Sequence, residues 1–93
     1  MYGIFKNNRD FDFKDQIQSA SVSISNNIAG GYERRSNKEF KQFLYIAKGS
    51  VGEVRSMSYI ALRLQYINQN QFDNLYTKCV EISRLASGLI KTL

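Results

Sequence analysis

The residues of this chain whose type and spacing could do chemistry are cations. Arg34, Lys41, Lys48 and Arg55 recur every seven residues, and Lys38, Tyr45 and Tyr59 fall close beside them. At ~3.6 residues per turn, a seven-residue step returns to nearly the same side of a helix. The set is therefore expected on one face, opposite the apolar stripe, with Arg34 included if the segment before the helix keeps its phase. Residues 33–64 hold seven basic and three acidic side chains, and so carry four of the net +5 charges. Such a row has two readings. It is either a ridge that tracks phosphates, with tyrosines to stack on bases, or the solvated face of a long helix.

Other chemistry finds little support. The chain has no His, which removes the usual general base and the commonest zinc ligand. Its single Cys gives no disulfide framework and no thiolate cluster. Asp10, Asp12 and Asp15 sit near a helix start, Asp73 falls in the first turn of the last helix, and Glu33, Glu39, Glu53 and Glu81 are scattered. Most of these have a capping or solvent role. Ser50 and Glu53 lie on neighbouring turns, but no base for Ser50 is visible. The expectation is a non-enzyme with no catalytic residue, no cofactor and no metal. No apolar run approaches the ~20 residues of a membrane span, and the N-terminus lacks a secretory pattern. A cytoplasmic protein without a membrane partner is expected.

The elements that position the cations are helices. Ninety-three residues make one domain at most, residues 1–93. With six Gly and no Pro, long uninterrupted helices are favoured. Helices are predicted over about 12–30, 37–64 and 69–92. The first has Asp12 as N-cap and carries Phe13, Ile17, Ala20, Ile24 and Ile28 inward. Its serine-rich part, SASVSIS over 19–25, alternates like a strand. The three/four stripe continues on both sides and no second strand exists, so helix is preferred. Gly30 and Gly31 are expected to stop it. Ser36 and Glu39 form a capping box for the second helix. Gly49 and Gly52, with Ala47 and Ser50, form a small-residue patch that suits close helix approach. Asn68 caps the last helix, whose stripe includes Cys79 as a buried thiol. Asn27, Ser50 and Glu53 are expected to form a structural polar set, with Asn27 and Glu53 satisfying one another across helices.

The central stretch resembles the four-helix-bundle family of 23S rRNA-intervening-sequence proteins. The matching residues run from Gln16, Ile17 and Ala20 through Ser23, Ile24, Asn27, Ile28, Ala29 and Gly31. They continue with Arg34, Ser36, Lys38, Glu39 and Phe40, then Leu44, Tyr45, Ile46, Ala47, Gly49, Ser50 and Glu53. The C-terminal EISRLASGLIKTL also looks like the family's last helix. Ser25 stands where the family has Pro, Gly30 where it has Glu, and Gln18 and Ser19 where it has a basic pair. The resemblance implies an all-α antiparallel helical bundle, with three helices in this chain related to a four-helix up-down bundle. It also implies a full helix ahead of residue 1, of which MYGIF looks like the last turn.

Three helices packed as if for four would leave an apolar groove open, and such a groove is expected to be closed by another subunit. Some relatives, the accessory proteins of diversity-generating retroelements, form pentameric barrels that work with a reverse transcriptase and nucleic acid. The resemblance thus admits a homo-oligomer, a pentamer among the options, with RNA or DNA and a protein such as a reverse transcriptase as partners. Two functions stand at this point. One is a non-catalytic, self-associating bundle that binds nucleic acid through Arg34, Arg35, Lys38, Lys41, Tyr45, Lys48 and Arg55. The other is a structural or protein–protein adaptor whose basic face only solubilises.

Overall fold

The computed structural model describes residues 2–93; Met1 of the MYGIF stretch lies outside them. Four helices follow one another: α1 (Tyr2–Phe5), α2 (Phe11–Tyr32), α3 (Asn37–Arg63) and α4 (Gln69–Thr92). The architecture is an all-α helical bundle of three long helices and one short turn.

Helix α2 starts one turn-residue set earlier than its Asp12 suggests. Asp10 is the N-cap: its carboxylate accepts from the Phe13 N–H at 3.1 Å, while its own N–H donates to Asn8 Oδ1 at 2.7 Å. The Asn8 turn places the cap two residues ahead of Asp12, which falls in the first turn. The alternating serines do not pull the chain into a strand. Ser21 Oγ donates to the Ile17 carbonyl at 2.7 Å, and Asn27 Nδ2 donates to the Ser23 carbonyl at 2.8 Å. These polar side chains bond back onto their own helix, while Phe13, Ile17, Ala20 and Ile24 are buried.

Gly30 and Gly31 do not end α2 in the left-handed conformation, and no described glycine has positive φ. The helix runs through both to Tyr32. What the pair supplies is clearance. A Cβ on Gly31 would lie 2.7 Å from Phe43 Cβ and 3.0 Å from Phe40 Cδ1, and one on Gly30 would lie 3.3 Å from Phe43 Cε1. The opposite holds for the expected patch on α3. A Cβ on Gly49 or Gly52 would meet nothing within 4 Å, so no helix of this chain approaches closely there.

Helix α3 opens on Ser36, whose hydroxyl accepts from the Glu39 N–H at 3.1 Å. It ends in a Schellman turn. Gln65 adopts φ 62°, the Tyr66 N–H bonds the Ala61 carbonyl at 2.8 Å, and the Gln65 N–H bonds the Leu62 carbonyl at 3.1 Å. The chain then reverses into α4, where Asn68 and Gln71 complete a reciprocal capping box.

Helix α3 is the centre of the molecule. Ser23 meets Ser50 and Gly31 meets Phe43, so α2 packs on it antiparallel. Tyr59 meets Phe72 and Tyr76 while Arg55, one turn earlier, lies beside Val80 and Ser83, so α4 does the same. The two outer helices scarcely touch each other. The Cα radius of gyration is 14.2 Å, against ~12 Å for a compact domain of this length, and the extents are 43 × 22 × 17 Å. An elongated, open-sided bundle results.

One end is closed by aromatics. Phe5 is fully buried and meets Phe13 edge-on at 5.5 Å, and Phe13 meets Tyr66 at 5.2 Å. The Tyr66 hydroxyl donates to Asp10 Oδ2 at 2.6 Å, tying the α1–α2 connection to the α3–α4 connection. This bond, with help from the Phe13 N–H, holds the Asp10 carboxyl below its ordinary 3.8. It also pushes the Tyr66 phenol above its ordinary 10.0. A depressed carboxyl stabilises the fold above its unfolded value and loses that effect as pH falls through the folded value. A raised phenol stabilises below its unfolded value and loses that effect as pH rises through the folded one. The clasp should therefore contribute between about pH 4 and 10. The Tyr66→Phe variant is expected to lose stability in that window and to converge on the parent in acid, as followed by thermal melts across pH.

Candidate nucleic-acid interface

Helix α3 presents the cations as a row, but not where the spacing alone suggests. Lys41, Lys48 and Arg55 are three- and four-residue neighbours of Leu44, Val51 and Ser58, all of which are buried. The row therefore flanks the apolar stripe instead of lying opposite it. Lys41 and Lys48 are half-buried, and Arg55 is exposed. The flank is the one that faces α4. Arg55 lines a cleft with Val80, Ser83, Arg84 and Ser87, and its charge acts on the Cys79 thiol. Burial pushes that thiol up, and Arg55 opposes the shift.

The other sequence-selected groups are dispersed. Arg34 lies in the α2–α3 connection, outside the helical phase, with its guanidinium 4.8 Å from the Phe43 ring centre. Arg35 and Lys38 are exposed around the start of α3. Tyr45 is 59% exposed on the outer side of α3. Tyr59 rests on α4, with its ring 4.9 Å from Phe72 and 6.1 Å from Tyr76, and stays 53% exposed. Two cations that sequence reasoning passed over, Arg84 and Lys91, join the same flank from α4. Their own seven-residue spacing is the signal that could have found them.

The polar set forms in a different connectivity. Ser23 and Ser50 hydroxyls are 2.9 Å apart, and Asn27 Nδ2 donates to Ser23 Oγ at 3.1 Å and to the Ser23 carbonyl. Asn27 and Ser50 are thus joined through Ser23. Glu53 does not pair with Asn27. It is exposed beside Asp15, Gln16 and Ser19. Asn27 finds its acceptors one turn back on its own helix, so it needs no carboxylate across the interface. No buried side-chain N or O among the described residues lacks a partner.

The sequence profile of the 23S rRNA-intervening sequence proteins matches residues 1–88. The chain belongs to that family. Among solved structures, this family member is similar to a protein of unknown function from the S23 ribosomal protein family of Bacteroides thetaiotaomicron VPI-5482. The TM-score is 0.90 at 25% identity, over 97% of this chain and 84% of that one. No functionally curated protein matches this 23S rRNA-intervening sequence protein. Among its described residues no helix is long and apolar enough to cross a membrane.

Proposed function

We propose that this protein is a non-catalytic, self-associating helical bundle that binds nucleic acid along the basic flank of α3. The observation that carries the reading is the row Lys41, Lys48 and Arg55, held on one side of a rigid helix next to α4. Seven residues of helix advance ~10.5 Å, so the row presents a cation at regular intervals over ~21 Å. None of the three donates a side-chain hydrogen bond within the described chain, which leaves their charge for an external anion. Phosphate contacts of this kind give salt-dependent affinity.

Self-association draws support from a second surface. Leu85 is 68% exposed and Leu89 43% exposed, and with Gly88 and Thr92 they line an apolar depression on α4. A chain this short gains from covering such a face with another copy.

The test is a titration of single-stranded RNA at two salt concentrations, with light scattering on the same samples. The parent should bind as an oligomer, lose affinity steeply with salt, and lose binding on changing Lys41, Lys48 and Arg55 to Glu. Equally negligible binding by both proteins would favour the adaptor, for which the apolar face of α4 is the supporting feature.

A further inference from the structure

The seam between α3 and α4 holds more than the row on α3. Arg55 from α3 and Arg84 and Lys91 from α4 line one open cleft of about 330 Å³, together with the half-buried Ser83 and Ser87. No carboxylate lines it. Helix α4 runs antiparallel to α3, so Lys91 lies toward the Lys48 end of the row. Arg84 and Lys91 repeat the seven-residue step of Lys48 and Arg55. One cation of the α3 row, Arg55, and two of α4 therefore border one cleft.

Three cations gathered without an acid repel one another until an anion joins them. Arginine and lysine with serine hydroxyls are the side chains that contact phosphate and sugar oxygens, and the arginine fork suits a phosphate in two-point contact. A trough between two helices admits one backbone, the arrangement in which basic grooves track single strands. Resting on the nucleic-acid reading above, we infer that this α3–α4 cleft seats the phosphodiester backbone of a single strand. Arg55, Arg84 and Lys91 neutralise phosphates there, and Ser83 and Ser87 donate to phosphate or sugar oxygens.

Arg84 and Lys91 are exposed on α4 and absent from the α3 row; Arg84 also borders the apolar depression of α4, so with light scattering showing an unchanged oligomer their removal separates the cleft from the row. Anisotropy titrations of a labelled oligouridylate over a salt series compare the parent with Arg84→Ala/Lys91→Ala, Arg84→Lys/Lys91→Arg and Lys41→Ala/Lys48→Ala. Losing two phosphate contacts should reduce the slope of log affinity against log salt by ~1.4, at ~0.7 per contact on a single strand. The charge-keeping double variant should retain the parent slope, and helicity by circular dichroism should match in all four. Two results would overturn the cleft while leaving the nucleic-acid reading intact. One is a parent-like slope in Arg84→Ala/Lys91→Ala alongside a reduced slope in Lys41→Ala/Lys48→Ala. The other is tighter binding of a duplex than of the single strand. No binding of oligouridylate or duplex by the parent would remove the reading itself, and the cleft with it.

Discussion

Replacing Phe5 with alanine is expected to cost about 3–5 kcal/mol, the range for deleting a buried aromatic side chain. Phe5 has no exposed surface, and its ring meets Phe13 edge-on at 5.5 Å. It is also the principal anchor of α1. A helix of four residues does not hold itself together, because one hydrogen-bonded turn fixes too many dihedrals for too few bonds. The turn stays in place because Phe5 fills the end of the core formed by Phe13, Ile67 and their neighbours. Without the ring, α1 can move to shrink the cavity, and that relaxation places the loss toward the lower end of the range. Since small domains have about 5 kcal/mol to lose at the bottom of the usual span, the variant should be close to unfolding at room temperature. Urea denaturation followed by circular dichroism reads this as a fall in midpoint. A conservative Phe5→Leu change should cost under ~1.5 kcal/mol. A parent-like midpoint in Phe5→Ala would mean that the ring is not part of the core in solution.

The second large effect is a difference of sign between glycines. Gly31→Ala places a methyl 2.7 Å from Phe43 Cβ, an atom fixed to the backbone of α3 that no rotamer change can move. Helices α2 and α3 must part at that end, at a cost of ~1–3 kcal/mol for overpacking. The better helix propensity of alanine returns ~1 kcal/mol, so the net loss reaches ~2 kcal/mol. Gly49→Ala and Gly52→Ala meet nothing, and in the lone chain each should gain up to ~1 kcal/mol from propensity alone. For a domain of this size, ~1 kcal/mol moves the melting temperature by ~4–8 °C. Thermal melts of the three variants should thus fall on opposite sides of the parent. A destabilised Gly49→Ala or Gly52→Ala would overturn the expectation that those positions are open in solution.

The residues explain why some of this was legible in the sequence and some was not. The three long helices follow from local signals: the Ser36 and Asn68 caps, and the three/four stripes of Phe13 to Ile24, Leu44 to Ala61 and Phe72 to Ala86. Capping and periodicity act within a few residues, so the sequence carries them directly. Gly30–Gly31 misled because a glycine pair after an apolar stripe serves equally as a stop or as clearance. Only the position of Phe43 on another helix decides which. Asp10 displaced Asp12 as cap because Asn8 shapes the preceding turn. On the basic face, both the seven-residue spacing and its azimuth were in the sequence: Lys41, Lys48 and Arg55 stand three or four residues from Leu44 and Val51, which places them beside the stripe and not opposite it as expected. Arg84 and Lys91 belong to a site shared between helices, and no periodicity within α3 could reveal them.

The central place of α3 also sets the order in which the molecule can open. Helices α2 and α4 each rest on α3 and scarcely on one another, so either can peel away while the other stays seated. Such partial openings need less free energy than global unfolding. Amide exchange should then be slowest in the middle of α3, around Val51 and Val54, whose release requires both neighbours to leave. A protein built this way has one load-sharing strut and two detachable flanks. The cationic cleft lies along one of those seams, where a bound strand would bridge α3 and α4 and hold the flank down.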